Sequence, residues 1–153
     1  MPLNANGIAQ AHAAAAVLRG RGIATLVASP LNRARTTAEI AAAALGLTLE
    51  IEDTLREVAF GGMEGQPMLP WFDEWVAGEA TPSGAESFAA LRARAVATVN
   101  RLLDRPAPLL VVGHGAFFRA LRAAMGLEPN VRLPNAMPLH CAPDGPTWRL
   151  TPA

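Results

Sequence analysis

Two short segments could together bind a phosphate group, because each delivers a basic side chain directly after a predicted buried strand. Segment 29–33 (SPLNR) places Arg33 after one apolar run, and segment 113–115 (GHG) places His114 after another. In open α/β sheets, ligands lie just beyond the carboxyl ends of the strands. A guanidinium there matches phosphate oxygens in a bidentate manner, and a helix N-terminus adds backbone N–H donors. A lone histidine beside glycine is more often structural than catalytic, so neither segment alone identifies a function.

A carboxylate and a turn between these segments are two further candidates. Segment 55–65 (LREVAFGGMEG) contains Glu57 ahead of a glycine-rich loop. A carboxylic acid at that place could protonate a leaving oxygen. Segment 82–87 (PSGAES) is either part of such a site or a capping box, in which Ser83 caps the next helix and Glu86 stands three residues later. The residues alone leave both alternatives open.

The apolar pattern predicts helices that alternate with strands. We expect helices over about 4–20, 32–46, 69–76, 83–106 and 115–125, and strands over about 23–28, 47–51, 109–112, 137–141 and 147–150. The longest predicted helix has an apolar face, from which Arg92, Arg94, Arg101 and Arg105 point away. Such alternation predicts a three-layer α/β/α sandwich with a mostly parallel sheet. No repeat or linker interrupts residues 1–153, so we expect one domain.

Composition excludes several classes of protein. The chain has 153 residues, of which 51% are hydrophobic and 17% are charged, so it is neither disordered nor collagen-like. Thirteen Arg and no Lys balance 13 acidic residues without any run of like charge, which argues against nucleic acid or an anionic membrane as a partner. A single cysteine, Cys141, excludes a disulfide framework. The first residues lack signal-peptide features, so we expect a cytoplasmic protein.

Taken together and in order, these segments resemble the histidine phosphatase (phosphoglycerate mutase-like) superfamily. SPLNRARTTA resembles its S-P-L-x-R-A-x-Q-T-A segment, and LREVAFGGMEG resembles L-x-E-x-x-F-G-x-W-E-G. PSGAES is similar to P-x-G-E-S, VVGHGAFFRAL to V-x-S-H-G-G-x-I-R-A-L, and PLNANGIAQA to P-L-T-x-x-G-x-x-Q-A. The departures are Thr36 for Gln, Met63 for Trp, an inserted Ala85, Gly113 for Ser and Ala116 for Gly. None of these changes removes a catalytic group.

The resemblance implies a phosphate pocket that needs no metal and no cofactor. Arg33 would bind phosphoryl oxygens, His114 would hold and polarise the phosphate, and Glu57 would donate the proton. A different histidine, in an R-H-G motif on the family's first strand, would be transiently phosphorylated. The absence of G-x-G-x-x-G and Walker A patterns agrees with the lack of a nucleotide cofactor.

The sequence contains no R-H-G motif. His12 lies on the first predicted helix and His140 near the C-terminus, and neither has the expected context. We therefore expect that this chain lacks the nucleophile and the family's first, central strand, either because it is truncated or because it is a pseudoenzyme. Removal of that strand would leave open sheet edges, which a second copy could occupy.

The leading hypothesis is a phosphomonoester hydrolase of this superfamily, which is inactive as the chain stands. Family mutases carry a longer insertion before the second histidine, which favours hydrolysis here, and the glycine-rich segment is most similar to α-ribazole phosphatases. Trp71, Phe72 and Trp75 would either form a substrate cap or cover the core. The alternative is a non-catalytic protein that binds a phosphate ester or a partner. The expected ligand is a small phosphorylated substrate or inorganic phosphate.

Overall fold

The structure is a computed structural model that describes residues 1–153. Its five helices are α1 (Ala5–Leu18), α2 (Asn32–Leu45), α3 (Trp71–Val76), α4 (Phe88–Leu102) and α5 (Gly115–Ala124). Its five strands are β1 (Thr25–Ala28), β2 (Leu49–Ile51), β3 (Leu109–Val112), β4 (Leu139–Asp144) and β5 (Thr147–Pro152). Two short 3-10 turns cover Asp53–Leu55 and Gly61–Met63. None of the helices combines the length and the apolar character needed to cross a membrane.

A parallel three-stranded sheet forms the centre of the fold, in the order β2-β1-β3. The last residues of the three strands are in register, since Ala28 of β1 pairs with Ile51 of β2 and with Val112 of β3. Every residue of β1 is buried, as expected for a central strand covered on both faces. The carboxyl ends of all three strands therefore meet at one edge of the sheet.

Helices cover both faces of this sheet, which confirms the predicted α/β sandwich. Alanines of α1 and α2 pack with Leu26 and Ala28 on one face. Residues of α4 and α5 pack with Val27 on the other, together with a set of aromatic side chains. Neighbouring residues of β1 contact different helix layers, because successive side chains of a strand point in opposite directions.

Most predicted helix ends agree with the structure. The Asn4 side chain accepts a hydrogen bond from the N–H of Gly7 and caps α1. Gly46 ends α2 with a φ of 66°, a left-handed conformation that favours glycine.

Of the two alternatives for segment 82–87, the capping box at Ser83 is wrong. The cap of α4 is Ser87, whose hydroxyl accepts from the N–H of Ala90 at 3.1 Å. Ser83 stays in the preceding turn, and Glu86 forms an ion pair with Arg94 instead. Ser87, four residues later, has the same capping hydroxyl, but Ala90 stands three residues after it, so the observed cap is a single serine and not a capping box.

The C-terminal strands form a hairpin outside the parallel sheet. β4 and β5 pair only with each other, in an antiparallel arrangement. β3 is consequently an edge strand, because β1 is its only hydrogen-bonded neighbour. The strands thus form two separate sheets, one of three strands and one of two.

Candidate functional site

The tips of β1 and β3 are linked by a serine and a histidine. Ser29 follows β1 directly and is fully buried, and His114 follows β3 by two residues and is 9% exposed. The Nε2 atom of His114 lies 2.7 Å from the Oγ atom of Ser29, within hydrogen-bond distance. The hydroxyl also accepts from the N–H of Leu31 at 3.2 Å. Ser29 therefore fixes the orientation of the imidazole, a role that its sequence context did not reveal.

His114 is uncharged near neutral pH. Burial lowers its pKa to about 4, and the positive charges of Arg33 and Arg94 act in the same direction. The charge of Arg33, which follows β1, therefore acts on the imidazole that follows β3. The imidazole can offer a hydrogen bond to an anion, but it contributes no net charge.

Arg33 presents an unpaired guanidinium at this edge. It is the second residue of α2 and its side chain is exposed. None of the five salt bridges of the chain includes Arg33. Its position follows from the sequence, because segment 29–31 turns the chain from β1 directly into α2. An exposed cation without a carboxylate partner beside a helix N-terminus can take an external anion.

Glu57 lies at the N-terminus of α5, the helix that begins directly after His114. Its carboxylate accepts hydrogen bonds from the N–H groups of Ala116 and Phe117, each at 3.0 Å, and from its neighbour Val58 at 3.1 Å. The amides of Ala116 and Phe117 would otherwise have no partner at the start of a helix. The structure thus brings Glu57 to the same helix end as His114.

Arg94 holds the Glu57 segment in place, although the sequence pattern placed it on the outer face of α4. Its Nη1 atom donates to the carbonyl oxygens of Thr54 at 2.7 Å and of Arg56 at 2.8 Å. Its Nε and Nη2 atoms donate to the two carboxylate oxygens of Glu86 at 3.0 and 2.7 Å. The guanidinium also lies over the ring of Phe117, 5.7 Å from its centroid. One side chain of α4 therefore connects the Glu57 segment, the 82–87 turn and α5.

The glycine-rich loop packs against the 82–87 turn. Gly61 has a φ of 56°, and a Cβ atom there would lie 2.2 Å from the carbonyl oxygen of Ser83. The N–H of Gly62 donates to the same oxygen at 2.9 Å, and the Glu64 carboxylate accepts from the N–H of Phe60 at 2.8 Å. Only glycine fits at position 61, so this part of the motif serves the close approach of two backbones.

The three candidate cap residues divide between core and surface. Phe72 and Trp75 are buried, with 4% and 0% exposure, in an aromatic cluster with Phe60 and Phe88. The indole N–H of Trp75 donates to the carbonyl oxygen of Glu86 at 2.9 Å. Trp75 therefore cannot touch a ligand here and belongs to the core, one of the two alternatives. Trp71 is half-buried and packs against the same cluster, and its cap role stays a prediction.

The remaining histidines and the cysteine lie elsewhere. His12 is exposed on α1, His140 is exposed on β4, and Cys141 is half-buried on β4. No group of three or more His, Cys, Asp or Glu side chains comes together in a way that could hold a metal ion. His114 is thus the one histidine at the carboxyl edge of the parallel sheet.

Comparison with known proteins decides the family. The model of the histidine phosphatase superfamily (branch 1) matches residues 1–142. The chain belongs to the histidine phosphatase superfamily. A probable phosphoglycerate mutase, GpmB, of Yersinia pestis is 35% identical over 151 residues, which span 88% of this chain and 70% of that protein. The predicted superfamily is therefore confirmed, whereas the expected likeness to α-ribazole phosphatases stays a prediction.

Solved structures of the superfamily share the fold. A mycobacterial glucosyl-3-phosphoglycerate phosphatase is 27% identical, with a TM-score of 0.83 over 99% of this chain and 86% of that chain. The YhfR protein of Bacillus stearothermophilus is 25% identical, with a TM-score of 0.81 over 99% of this chain and 83% of that chain. The mycobacterial phosphatase is also known in complex with inorganic phosphate. The phosphoglycerate mutase-like fold predicted from the sequence is thus confirmed.

Proposed function

We propose that this chain binds the phosphoryl group of small phosphomonoesters at the carboxyl edge of its parallel sheet, as part of a phosphomonoester hydrolase of the superfamily. The observation that carries the proposal is that Glu57 accepts hydrogen bonds from the first turn of α5, directly after His114, while the charge of Arg33 acts on the His114 imidazole. These three residues come from segments that lie far apart in the sequence. The phosphate complex of the mycobacterial relative supports the choice of ligand.

Each residue has a distinct role in the proposed site. Arg33 binds two phosphoryl oxygens with its planar guanidinium. His114, held by Ser29, donates a hydrogen bond to a third oxygen, and so polarises the phosphorus. In a complete site, where a nucleophile attacks phosphorus and the ester P–O bond breaks, Glu57 would supply the proton to the leaving oxygen.

Hydrolysis by the family's phosphohistidine route needs a second histidine that attacks phosphorus and is later released by water. His12 and His140 lie on α1 and β4, and neither lies at the carboxyl edge of the sheet. We therefore propose that the chain by itself binds phosphate esters without turning them over. Hydrolysis remains preferred over mutase chemistry for the complete site, because only segment 66–113 separates the glycine-rich loop from His114.

Titration calorimetry with inorganic phosphate and 4-nitrophenyl phosphate tests the proposal, together with an assay for release of nitrophenolate. We expect binding without release, and we expect Arg33→Ala and His114→Ala each to weaken binding by at least about tenfold. His12→Ala is the matched control and should bind as the parent does. Unchanged affinity in the Arg33 variant would contradict the site, and rapid release of nitrophenolate would contradict the lack of turnover.

A second candidate function is association through the free edge of β3. Its backbone has no strand partner on the side away from β1, and Val111 on this strand is 38% exposed. An open edge of this kind accepts a strand from a second copy of the chain. Sedimentation at micromolar concentration should then show a dimer that Val111→Pro dissociates, whereas a monomer would argue against it.

A further inference from the structure

Arg119 lies beside the candidate phosphate site, although its backbone belongs to the second turn of α5. Side chains in a helix lean toward its N-terminus, so a residue at position 119 covers the turn that begins at 115. Accordingly, the Nη1 atom of Arg119 lies 3.2 Å from the place that a Cβ atom of Gly115 would occupy. Gly115 directly follows His114, so the guanidinium reaches the same helix end as the predicted site residues.

The guanidinium of Arg119 has no partner of its own. Its Nε atom is inaccessible to solvent and makes no hydrogen bond. None of the five salt bridges includes it. Arg94, on the neighbouring helix, instead directs four hydrogen bonds to Glu86 and to two backbone carbonyls. No acceptor of the chain bonds the Nη atoms either, so the outer edge of this guanidinium is available to an anion.

One contact keeps this guanidinium in place without satisfying its donors. Its Cζ atom lies over the ring of Phe72, 5.2 Å from the centroid, and Phe72 is buried in the aromatic cluster. Stacking on an aromatic face fixes the plane of the guanidinium and leaves its N–H edge available. Gly115 leaves room for Nη1, since even one methyl group there would crowd it.

We propose that Arg119 binds a carboxylate on the leaving group of the substrate, so that the preferred ligands are phosphorylated hydroxy acids. The planar fork of donors matches the two oxygens of a carboxylate. One guanidinium balances the single charge of a carboxylate, whereas a second phosphate dianion would leave charge uncompensated in a partly buried place. The inference rests on the proposed phosphate site, because only a ligand anchored at Arg33 and His114 would present its carboxylate here.

The test compares two ligands that differ in one group. 3-Phosphoglycerate carries a carboxylate where glycerol 3-phosphate carries a hydroxymethyl group. We expect the parent chain to bind 3-phosphoglycerate at least about tenfold more tightly by titration calorimetry. Arg119→Gln should abolish that preference and leave the affinities for glycerol 3-phosphate and inorganic phosphate unchanged.

Further variants separate this role from a structural one. Gly115→Ala should reduce the preference by displacing the guanidinium, and Arg119→Lys should keep part of it, because a cation stays at the same position of α5. Arg92→Gln removes a charge from an exposed position of α4 and should retain the full preference. Circular dichroism shows whether each variant is folded, and Gly115→Ala serves as the test if Arg119→Gln is not.

The outcomes distinguish this inference from the proposed function. If Arg119→Gln keeps the preference for 3-phosphoglycerate, or if the parent shows none, the carboxylate role is wrong while the phosphate site stands. If Arg33→Ala leaves the affinities for both ligands unchanged, the phosphate site is wrong and the inference falls with it.

Discussion

On one face of the parallel sheet, α1 and α2 pack through buried alanines such as Ala15 and Ala41, whereas on the other face α4 and α5 pack through aromatic rings and Arg94. Small residues let the first pair of helices lie close to each other and to the sheet without any buried polar contact. The second pair connects segments from distant parts of the chain through charged hydrogen bonds. Arg33 belongs to the first layer, and Glu57 and His114 are held by the second. The two halves of the site should therefore respond differently to substitution.

Arg94→Met should produce the largest effect. It removes the partner of Glu86, whose side chain is 27% exposed, and frees two backbone carbonyls. We expect a loss of about 2–3 kcal/mol in the free energy of unfolding, measured by urea denaturation, because a partly buried charge stays behind. Phosphate affinity should fall as well, since the Glu57 segment loses its anchor. Glu86→Gln tests the same pair from the other side, and a stability equal to that of the parent in both variants would show that the pair is not structural.

Ala15→Leu should give the next largest loss of stability, but without the loss of phosphate affinity expected for Arg94→Met. Ala15 of α1 packs against α2 and the sheet and is 1% exposed. A larger side chain there has no room, so we expect a loss of about 2 kcal/mol in the free energy of unfolding. Phosphate affinity should not change, because α1 supplies no residue to the site. Ala13→Leu, at an exposed position of the same helix, is the control. A loss of phosphate affinity in Ala15→Leu would mean that the layers are not independent.

Lowering the pH should reduce the free energy of unfolding through the protonation of His114. Its pKa is about 4 in the folded chain and near 6.5 when unfolded, so the unfolded state binds the additional proton as the pH falls. The free energy of unfolding should decrease by on the order of 1 kcal/mol between about pH 6.5 and pH 5. Glu52, whose pKa is lowered by its hydrogen bond to Thr54, adds a further loss only below about pH 4.5. His114→Gln should flatten the upper part of this pH dependence and exposed His12→Gln should not, and an equal slope in both would refute the assignment.

Arg35→Gln should have the smallest effect. Arg35 and Glu39 form an exposed pair with a separation of 2.9 Å on α2, with about half of each side chain accessible. Such pairs contribute less than about 0.5 kcal/mol and are screened by salt. The midpoint of thermal unfolding should change little. A loss of stability as large as that of Arg94→Met would show that the two helix layers do not differ in the way proposed.

The fold was largely predictable from the sequence because local signals agree with the tertiary structure. Apolar runs bounded by glycine, proline and Asn4 placed the helices and the buried strands within a few residues. The sequence alone was enough to link Arg33 with His114, since the ends of parallel strands share one edge. The interpretation of Ser83 as a helix cap was wrong, because Ser87 provides the capping hydroxyl at the start of α4.

The supporting residues could not be predicted in the same way. Arg94 stands at a position that periodicity assigns to solvent, and the sequence analysis did not single out Arg119. Only the tertiary structure brings a carboxylate to Arg94 and an aromatic ring to Arg119. Ser29 had no signal beyond its place before Pro30. Trp71, Phe72 and Trp75 have similar sequence contexts, but Trp71 is half-buried whereas Phe72 and Trp75 are buried in the core.

The neutral state of His114 has a consequence for how the site would respond to acidity. The positive charge that faces an anion there comes from guanidinium groups, which stay protonated at every pH at which a protein is folded. Any change in phosphate ester affinity above about pH 5 must then follow the second ionisation of the ester itself, near pH 6. The affinity should increase once across that range and remain level in alkaline solution, where a site built on lysine or on a charged imidazole would release its ligand.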